Sequence, residues 1–349
     1  MMTKLTRCAA AITGAASVLL SFGCAQNVPQ LQSSIELNPD LPPIVLHHTQ
    51  YSPFAEKARI MLGYTQLKWY AVNAPLPPRP IQEELVGGYA RRIPLLQIGA
   101  DIFVDSDLIA KEIAALSHQP ELDRSQQSTR SQQLVTSQEP ELFLPILNSM
   151  SKLQFLSGLH HMMPFGQMVR FTRDRLGAFS DFEQPTMDRA LAQLKLEQKN
   201  RELADALQGG PYLFGQSAPT IADFSAFHLR WYRASLDYPV ITEQQPELMD
   251  WYQRMDAIDH GQRTDIEPKL AWTIASTYSP RPIPESMTLS DRIGKTISLK
   301  PNDTVGYATP AIEGILVGEN QQRYVIRRQT THAGIVHIYF PKQAYGACF

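Results

Sequence analysis

The sequence holds only three cysteines in 349 residues, Cys8, Cys24 and Cys348. No CxxC pair and no cysteine–histidine cluster is present, which excludes zinc ribbons, disulfide scaffolds and thioredoxin-type dithiol chemistry. Net charge is equally scarce. Thirty-two basic against 34 acidic residues leave −2 at neutral pH, and that balance lacks the basic excess of a nucleic-acid binder. The apolar run from Cys8 to Phe22 falls short of the ~20 residues that span a bilayer comfortably. What is present is a 43% hydrophobic, 19% charged composition, the balance of a chain that buries a core. At ~150 residues per domain the length allows two domains or three.

Lys4 and Arg7 precede the apolar run, and Gly23-Cys24-Ala25 follows it. A charged start, an apolar stretch and a small residue before a candidate cleavage point make a signal peptide. Leu20-Ser21-Phe22-Gly23-Cys24 resembles a bacterial lipobox, with the leucine one place early, and closes a signal segment over residues 1–24 in which Cys24 is expected to become the lipidated first residue of the mature chain. The alternatives are an uncleaved anchor or a start codon placed upstream of a cytoplasmic protein. The polar residues 25–43 then read as a linker without periodicity.

Ile44–His47 reads as a strand. From Pro53 the residues Phe54, Ala58, Met61 and Leu62 keep helical spacing, with Glu56, Lys57 and Arg59 on the other side. Leu67–Val72 alternates as a second strand, and the prolines from Pro75 to Pro80 then forbid regular structure. Ile93–Ile98 and Ile102–Val104 flank a Gly99-Ala100-Asp101 turn as a hairpin, and Asp105-Ser106 opens a helix carrying Leu108, Ile109, Ile113 and Leu116. This β-α-β, β-β-α order is a thioredoxin-like layout. Helical periodicity dominates from Ser128 to about Ala275. Within it, Thr220 and Asp223 stand three apart before an apolar run, a capping box worth ~1 kcal/mol. After the proline-rich stretch from Tyr278 to Pro284, β-branched runs at Ile297–Leu299, Gly314–Val317, Arg323–Arg328 and Ile335–Phe340 predict a small antiparallel β module.

Ser52-Pro53-Phe54-Ala55-Glu56-Lys57-Ala58-Arg59 resembles the omega-type first-helix motif of the glutathione transferase superfamily, with serine in the cysteine's place. Arg91-Arg92-Ile93-Pro94-Leu95-Leu96-Gln97 is similar to that family's proline-containing segment, and Asp105-Ser106 to its acidic-Ser pair. Pro219-Thr220-Ile221-Ala222-Asp223-Phe224 resembles the buried cap of its helical domain. The C-terminal strands, closing on Phe340-Pro341-Lys342, resemble an appendage of unknown role in some glutathione-transferase-like proteins. The resemblance implies an α/β thioredoxin-like glutathione-binding domain over residues 44–120, an all-helical domain over 121–280 and a β-rich module over 285–349.

The same resemblance implies glutathione as co-substrate and assigns roles. A serine hydroxyl does not ionise usefully near neutral pH, so Ser52 is expected to donate a hydrogen bond to the glutathione thiolate at a helix start that favours negative charge. Ser-Pro is equally an N-cap followed by proline at the first helical position. Ile93-Pro94 is expected to be cis, although only ~5% of X–Pro bonds are, with the Ile93 backbone pairing with the tripeptide. Asp105 and Ser106 are expected at the γ-glutamyl end, or as a plain cap. Arg91 and Arg92 could fork onto the glycyl carboxylate or lie in solvent, and Phe54 walls the sulfur pocket or packs in the core. His47-His48 and His160-His161 invite a metal reading, but adjacent histidines point apart and no carboxylate stands at ligand spacing, so no metal is expected.

Two functions remain open from sequence. One is a glutathione transferase acting on small electrophiles. The other is a non-catalytic binding or scaffold module of the same fold anchored at the membrane. The expected address is the periplasmic side of the cell envelope through the lipid anchor if the signal is real, and cytoplasmic otherwise. A homodimer is among the expected assemblies, and nucleic acid is not among the partners.

Overall fold

The computed structural model describes residues 31–74, 76–87, 92–179, 187–241, 244–302 and 311–348. The candidate lipidation site Cys24 and Arg91 lie outside the described residues. Strand β1 (Ile44–His48) leads into helix α1 (Pro53–Tyr64), then β2 (Trp69–Asn73), α2 (Pro80–Val86), β3 (Leu95–Ile98), β4 (Asp101–Val104) and α3 (Ser106–Ser117). β1 runs parallel to β2 and antiparallel to β3, with His47 opposite Leu95. β3 and β4 form the expected hairpin, Leu95 opposite Val104, turned at Gly99 with φ +58°, where a residue without Cβ is unstrained.

The proline stretch differs from expectation. Pro80 starts α2, because a proline at the first helical position lacks an N–H that would be unpaired there anyway. The linker expected over 25–43 is corrected as well, over its described residues 31–43. From Leu31 the chain lies on the fold: Gln32 N donates to Asp265 O at 3.0 Å and its own carbonyl accepts from Glu267 N at 2.9 Å. Ile35 and Leu37 pack against the cluster of Val72, Ile266 and Ile274. Their two-residue spacing is a short extended pattern hidden among polar neighbours.

The helical part comprises α4 (Thr129–Asn148), α5 (Lys152–Met162), α6 (Phe165–Phe179), α7 (Arg189–Ala206), α8 (Ile221–Ser235), α9 (Pro246–Asp256) and α10 (Leu270–Thr277). Helix α8 is buried along most of its length. Its cap ties three segments together: Asp223 accepts from Thr220 N at 2.8 Å, Leu213 N at 3.0 Å and Trp251 Nε1 at 2.9 Å. Between α9 and α10, β5 (Arg263–Asp265) adds to β2 in parallel. Among the described residues no helix is long and apolar enough to cross a membrane.

The C-terminal strands are β6 (Thr296–Pro301), β7 (Ile312–Glu319), β8 (Arg323–Gln329), β9 (Ile335–Pro341) and β10 (Tyr345–Cys348). They pair antiparallel with one another, but the module is not a separate sheet. β9 lies parallel to β4, Ile102 opposite Ile338, and a single ten-stranded sheet results in the order β10-β6-β7-β8-β9-β4-β3-β1-β2-β5. The addition satisfies the backbone groups that β4 would otherwise expose as an edge. It is secured by Tyr339, whose hydroxyl donates to Asp101 at 3.0 Å and whose ring stacks on Phe103 at 4.5 Å. Arg281 donates to the same Asp101 at 3.1 Å and pairs with Glu112 at 2.7 Å. The β8–β9 turn also reaches α2: Glu84 accepts from the Thr331 and His332 amides, and His332 stacks on Trp272 at 4.5 Å.

Candidate functional site

Strands β1 and β4 flank β3 and run the same way, so their C-terminal ends share one end of the sheet with the start of β3. Ser52, Ile93-Pro94 and Asp105-Ser106 follow or precede those ends within a few residues. The topology therefore converges on the segments that the sequence singled out.

Ser52 is the N-cap of α1. Its Oγ accepts from Ala55 N at 3.2 Å, which uses an oxygen lone pair and leaves the O–H free to donate. The loop before it is held from below by Arg59, which donates to Thr49 O at 3.0 Å, Gln50 O at 3.3 Å, His48 Nδ1 at 3.0 Å and Glu56 Oε2 at 2.8 Å. Burial alone would raise the Glu56 carboxyl, yet hydrogen bonds from His260 and the charge of Arg59 hold it below its ordinary value. Glu56, Lys57 and Arg59, read from the sequence as the side of α1 opposite its apolar residues, do not form a solvent face. All three are buried, because the helical region covers that side of the helix.

Lys57 is 1% exposed and pairs with Glu139 at 3.0 Å and Asp107 at 3.4 Å. Burial opposes its charge, but the two carboxylates carry the ammonium above its ordinary value. Asp105 caps α3, accepting from Asp107 N at 3.0 Å with φ +81°, a conformation that a non-glycine residue holds at ~1–3 kcal/mol. Desolvation, reinforced by the Asp107 charge, pushes its carboxyl up to about 7. Ser106 begins the helix and is half-buried.

The Ile93–Pro94 bond is cis, Pro94 is buried, and Ile93 and Arg92 are half-buried beside it. Phe54 turns toward the helices, its ring 6.0 Å from Phe143 and 5.6 Å from His228, which is packing between α1, α4 and α8. The histidines have other uses. His47 lies between Gln97 Oε1 at 2.9 Å and Gln82 Nε2 at 3.0 Å; the amide nitrogen of Gln82 can only donate, so Nδ1 accepts and the proton sits on Nε2. Burial lowers its pKa to about 4. His160 and His161 are exposed at the end of α5. Among the described residues no group of three or more His, Cys, Asp or Glu is arranged to hold a metal. Cys348 is exposed on β10.

Sequence reasoning missed Lys57, Arg59, Glu139 and His228 as supports of the site. The available signal was a charged helix face in a chain whose second domain had to pack against something.

The family model described as the glutathione S-transferase N-terminal domain matches residues 46–121. No curated protein matches the chain. Among solved structures, a GST-like protein from Pseudomonas syringae is 26% identical, with a TM-score of 0.66 over 88% of this chain and 99% of its own. That share is too large for the N-terminal and helical parts alone, so the likeness extends into the C-terminal strands. A glutathione transferase from Phanerochaete chrysosporium, 16% identical with a TM-score of 0.50 over 63% of this chain and 98% of its own, shares the fold.

Proposed function

Because the chain belongs to the glutathione S-transferase superfamily, we propose that it binds reduced glutathione at the end of the sheet where β1, β3 and β4 meet and transfers the thiolate to a small electrophile. The convergence of Ser52, Ile93 and Asp105-Ser106 on that end carries the reading. Ser52 donates its free O–H to the sulfur, favouring the thiolate at the start of α1. The Ile93 backbone pairs with the cysteinyl unit, Arg92 with the glycyl carboxylate. The amides at the start of α3 and the Ser106 hydroxyl take the γ-glutamyl carboxylate, while Asp105 faces its ammonium.

Loss of the thiol proton to solvent leaves a sulfur lone pair that forms the new carbon–sulfur bond, and the displaced group departs with its electron pair. Calorimetric titration of the full chain with reduced glutathione, followed by turnover of a generic aromatic electrophile, tests this. Saturable binding with turnover is expected; no binding contradicts it. Binding without turnover would favour the non-catalytic module. We further propose that Cys24 carries a lipid anchor on the periplasmic side of the envelope. Labelling with a palmitate analogue, abolished by Cys24→Ser, is the expected result, and an intact Met1 in the native protein contradicts it.

A further inference from the structure

His228 sits on α8 among the buried Phe224, Phe227 and Leu229, and it is wholly buried. A leucine would fill that space without the desolvation penalty of an imidazole. The ring is held through its Nδ1 instead. Its Nδ1 lies 3.1 Å from the carbonyl oxygen of Pro53, which can only accept, so Nδ1 carries the proton. Its other nitrogen, Nε2, lies 3.4 Å from Glu139 Oε1, the same oxygen that takes Lys57 Nζ at 3.0 Å. Lys57 continues to Asp107 in the first turn of α3.

His228 thus ties α8 to the first turn of α1, while Glu139 and Lys57 beside it tie α4 to α1 and to the first turn of α3. Pro53 is the first helical residue of α1, and Ser52 is its cap. The Pro53 carbonyl belongs to the peptide that follows the Ser52–Pro53 link, so fixing it fixes the first turn on which the Ser52 hydroxyl is presented, and a misplacement of ~1 Å at a reacting group lowers rate by ~100-fold.

We propose that His228 is a positioning residue: its donor to the Pro53 carbonyl lets the helical domain set the direction of the Ser52 hydroxyl toward bound sulfur. The proposal rests on the glutathione reading above. The groups that face the ring are the Pro53 carbonyl and Phe54 of α1, Glu139 of α4 and, through Glu139, Lys57.

The test compares His228→Leu, His228→Asn and Ser52→Ala with the unmutated full chain. The readouts are the ionisation of bound glutathione by ultraviolet absorbance, and kcat and KM with a generic aromatic electrophile. His228→Leu is expected to raise the bound-thiol pKa by about one unit and lower kcat about tenfold, with KM for glutathione changed less than about twofold since the peptide contacts are elsewhere. His228→Asn, whose amide can donate in the place of Nδ1, is expected to restore most of both. A leucine variant with unmutated thiol ionisation and kcat, or an asparagine variant as impaired as leucine, overturns the proposal. If Ser52→Ala also leaves the bound thiol unchanged, the glutathione mechanism itself fails, which separates the two claims. Should the leucine variant not fold, nitrogen NMR of the unmutated ring, assigned by its loss in His228→Asn, decides. A proton on Nδ1 is expected, and a ring protonated on Nε2 alone overturns the proposal.

Discussion

The starts of α1 and α3 face the same end of the sheet and are built on opposite principles. Beneath α1, every charge is answered: Arg59 is ringed by Glu56, His48 and two carbonyls, and Glu56 by Arg59 and His260. The cap itself is a neutral hydroxyl. At α3 the cap is a carboxylate in strained backbone, crowded by Asp107 and raised to about 7. One helix start is a finished support for a group that must not move. The other keeps an incompletely compensated negative group, which a ligand cation would complete. Under the proposed glutathione reading this contrast suits a zwitterion, with anionic sulfur at the settled end and ammonium at the unsettled one.

The largest effect that tests this contrast belongs to the finished side. Arg59→Leu strands Glu56 in the interior, and breaking such a buried pair lowers stability by about 3–5 kcal/mol. Urea unfolding measures it, and a loss below about 1 kcal/mol would mean that the support is ornamental.

The strand feeding α1 gives a second test, through pH. His47 is held neutral down to about 4, whereas an unfolded histidine protonates near 6.5. Its folded pKa is depressed, so the stability it contributes is complete above about 6.5 and is lost as pH falls toward 4, by about 3 kcal/mol in all. His48, also held low by burial, acts in the same sense. Asp105, whose carboxyl is raised to about 7, opposes this slope over the same range, so the difference is what tells: from pH 7 down to 4.5 the unfolding free energy should fall more steeply in the unmutated protein than in His47→Gln. An equal slope in both proteins would contradict the assignment.

At α3 the contrast inverts, since substitution there should harm the ligand and spare the fold. Asp105→Asn keeps a capping oxygen and removes the buried negative charge, so unfolding at pH 8 should be unchanged or harder. Glutathione binding should weaken by about 10–100-fold, the worth of one charged hydrogen bond. In the unmutated chain the affinity should fall as pH drops below about 7, where Asp105 must release its proton before it can hold an ammonium. Calorimetry at pH 6 and pH 8 reads both, and a pH-independent affinity in the unmutated protein would remove Asp105 from the site.

How much of this was legible depends on sequence distance. The β3–β4 hairpin, α1 and both caps follow from local spacing: alternation about Gly99, proline after Ser52, Asp105 before Ser106. The sidedness of α1 was legible, but what covers the charged side was not. Lys57 meets Glu139 82 positions away, and Glu56 meets His260 204 positions away. Helical periodicity reports which residues share a face and is silent on a second domain that packs there. The joining of β9 to β4 was hidden for the same reason. Tyr339 and Asp101 stand 238 positions apart, and a short hairpin strand looks complete without a further neighbour. Ser52 shows the remaining gap, because an N-cap and a thiolate donor require the same residue in the same turn.

That last ambiguity is where the account is most directly tested, by ultraviolet titration of glutathione bound to the full chain and to its Ser52→Ala variant. A free thiol ionises near 8.5. The account predicts a bound thiol at least about one unit lower in the unmutated protein, and a return upward by about one unit when the hydroxyl is removed, the scale of one hydrogen bond to a charged group. A bound thiol that ionises like the free one, or identically in the two proteins, would contradict it.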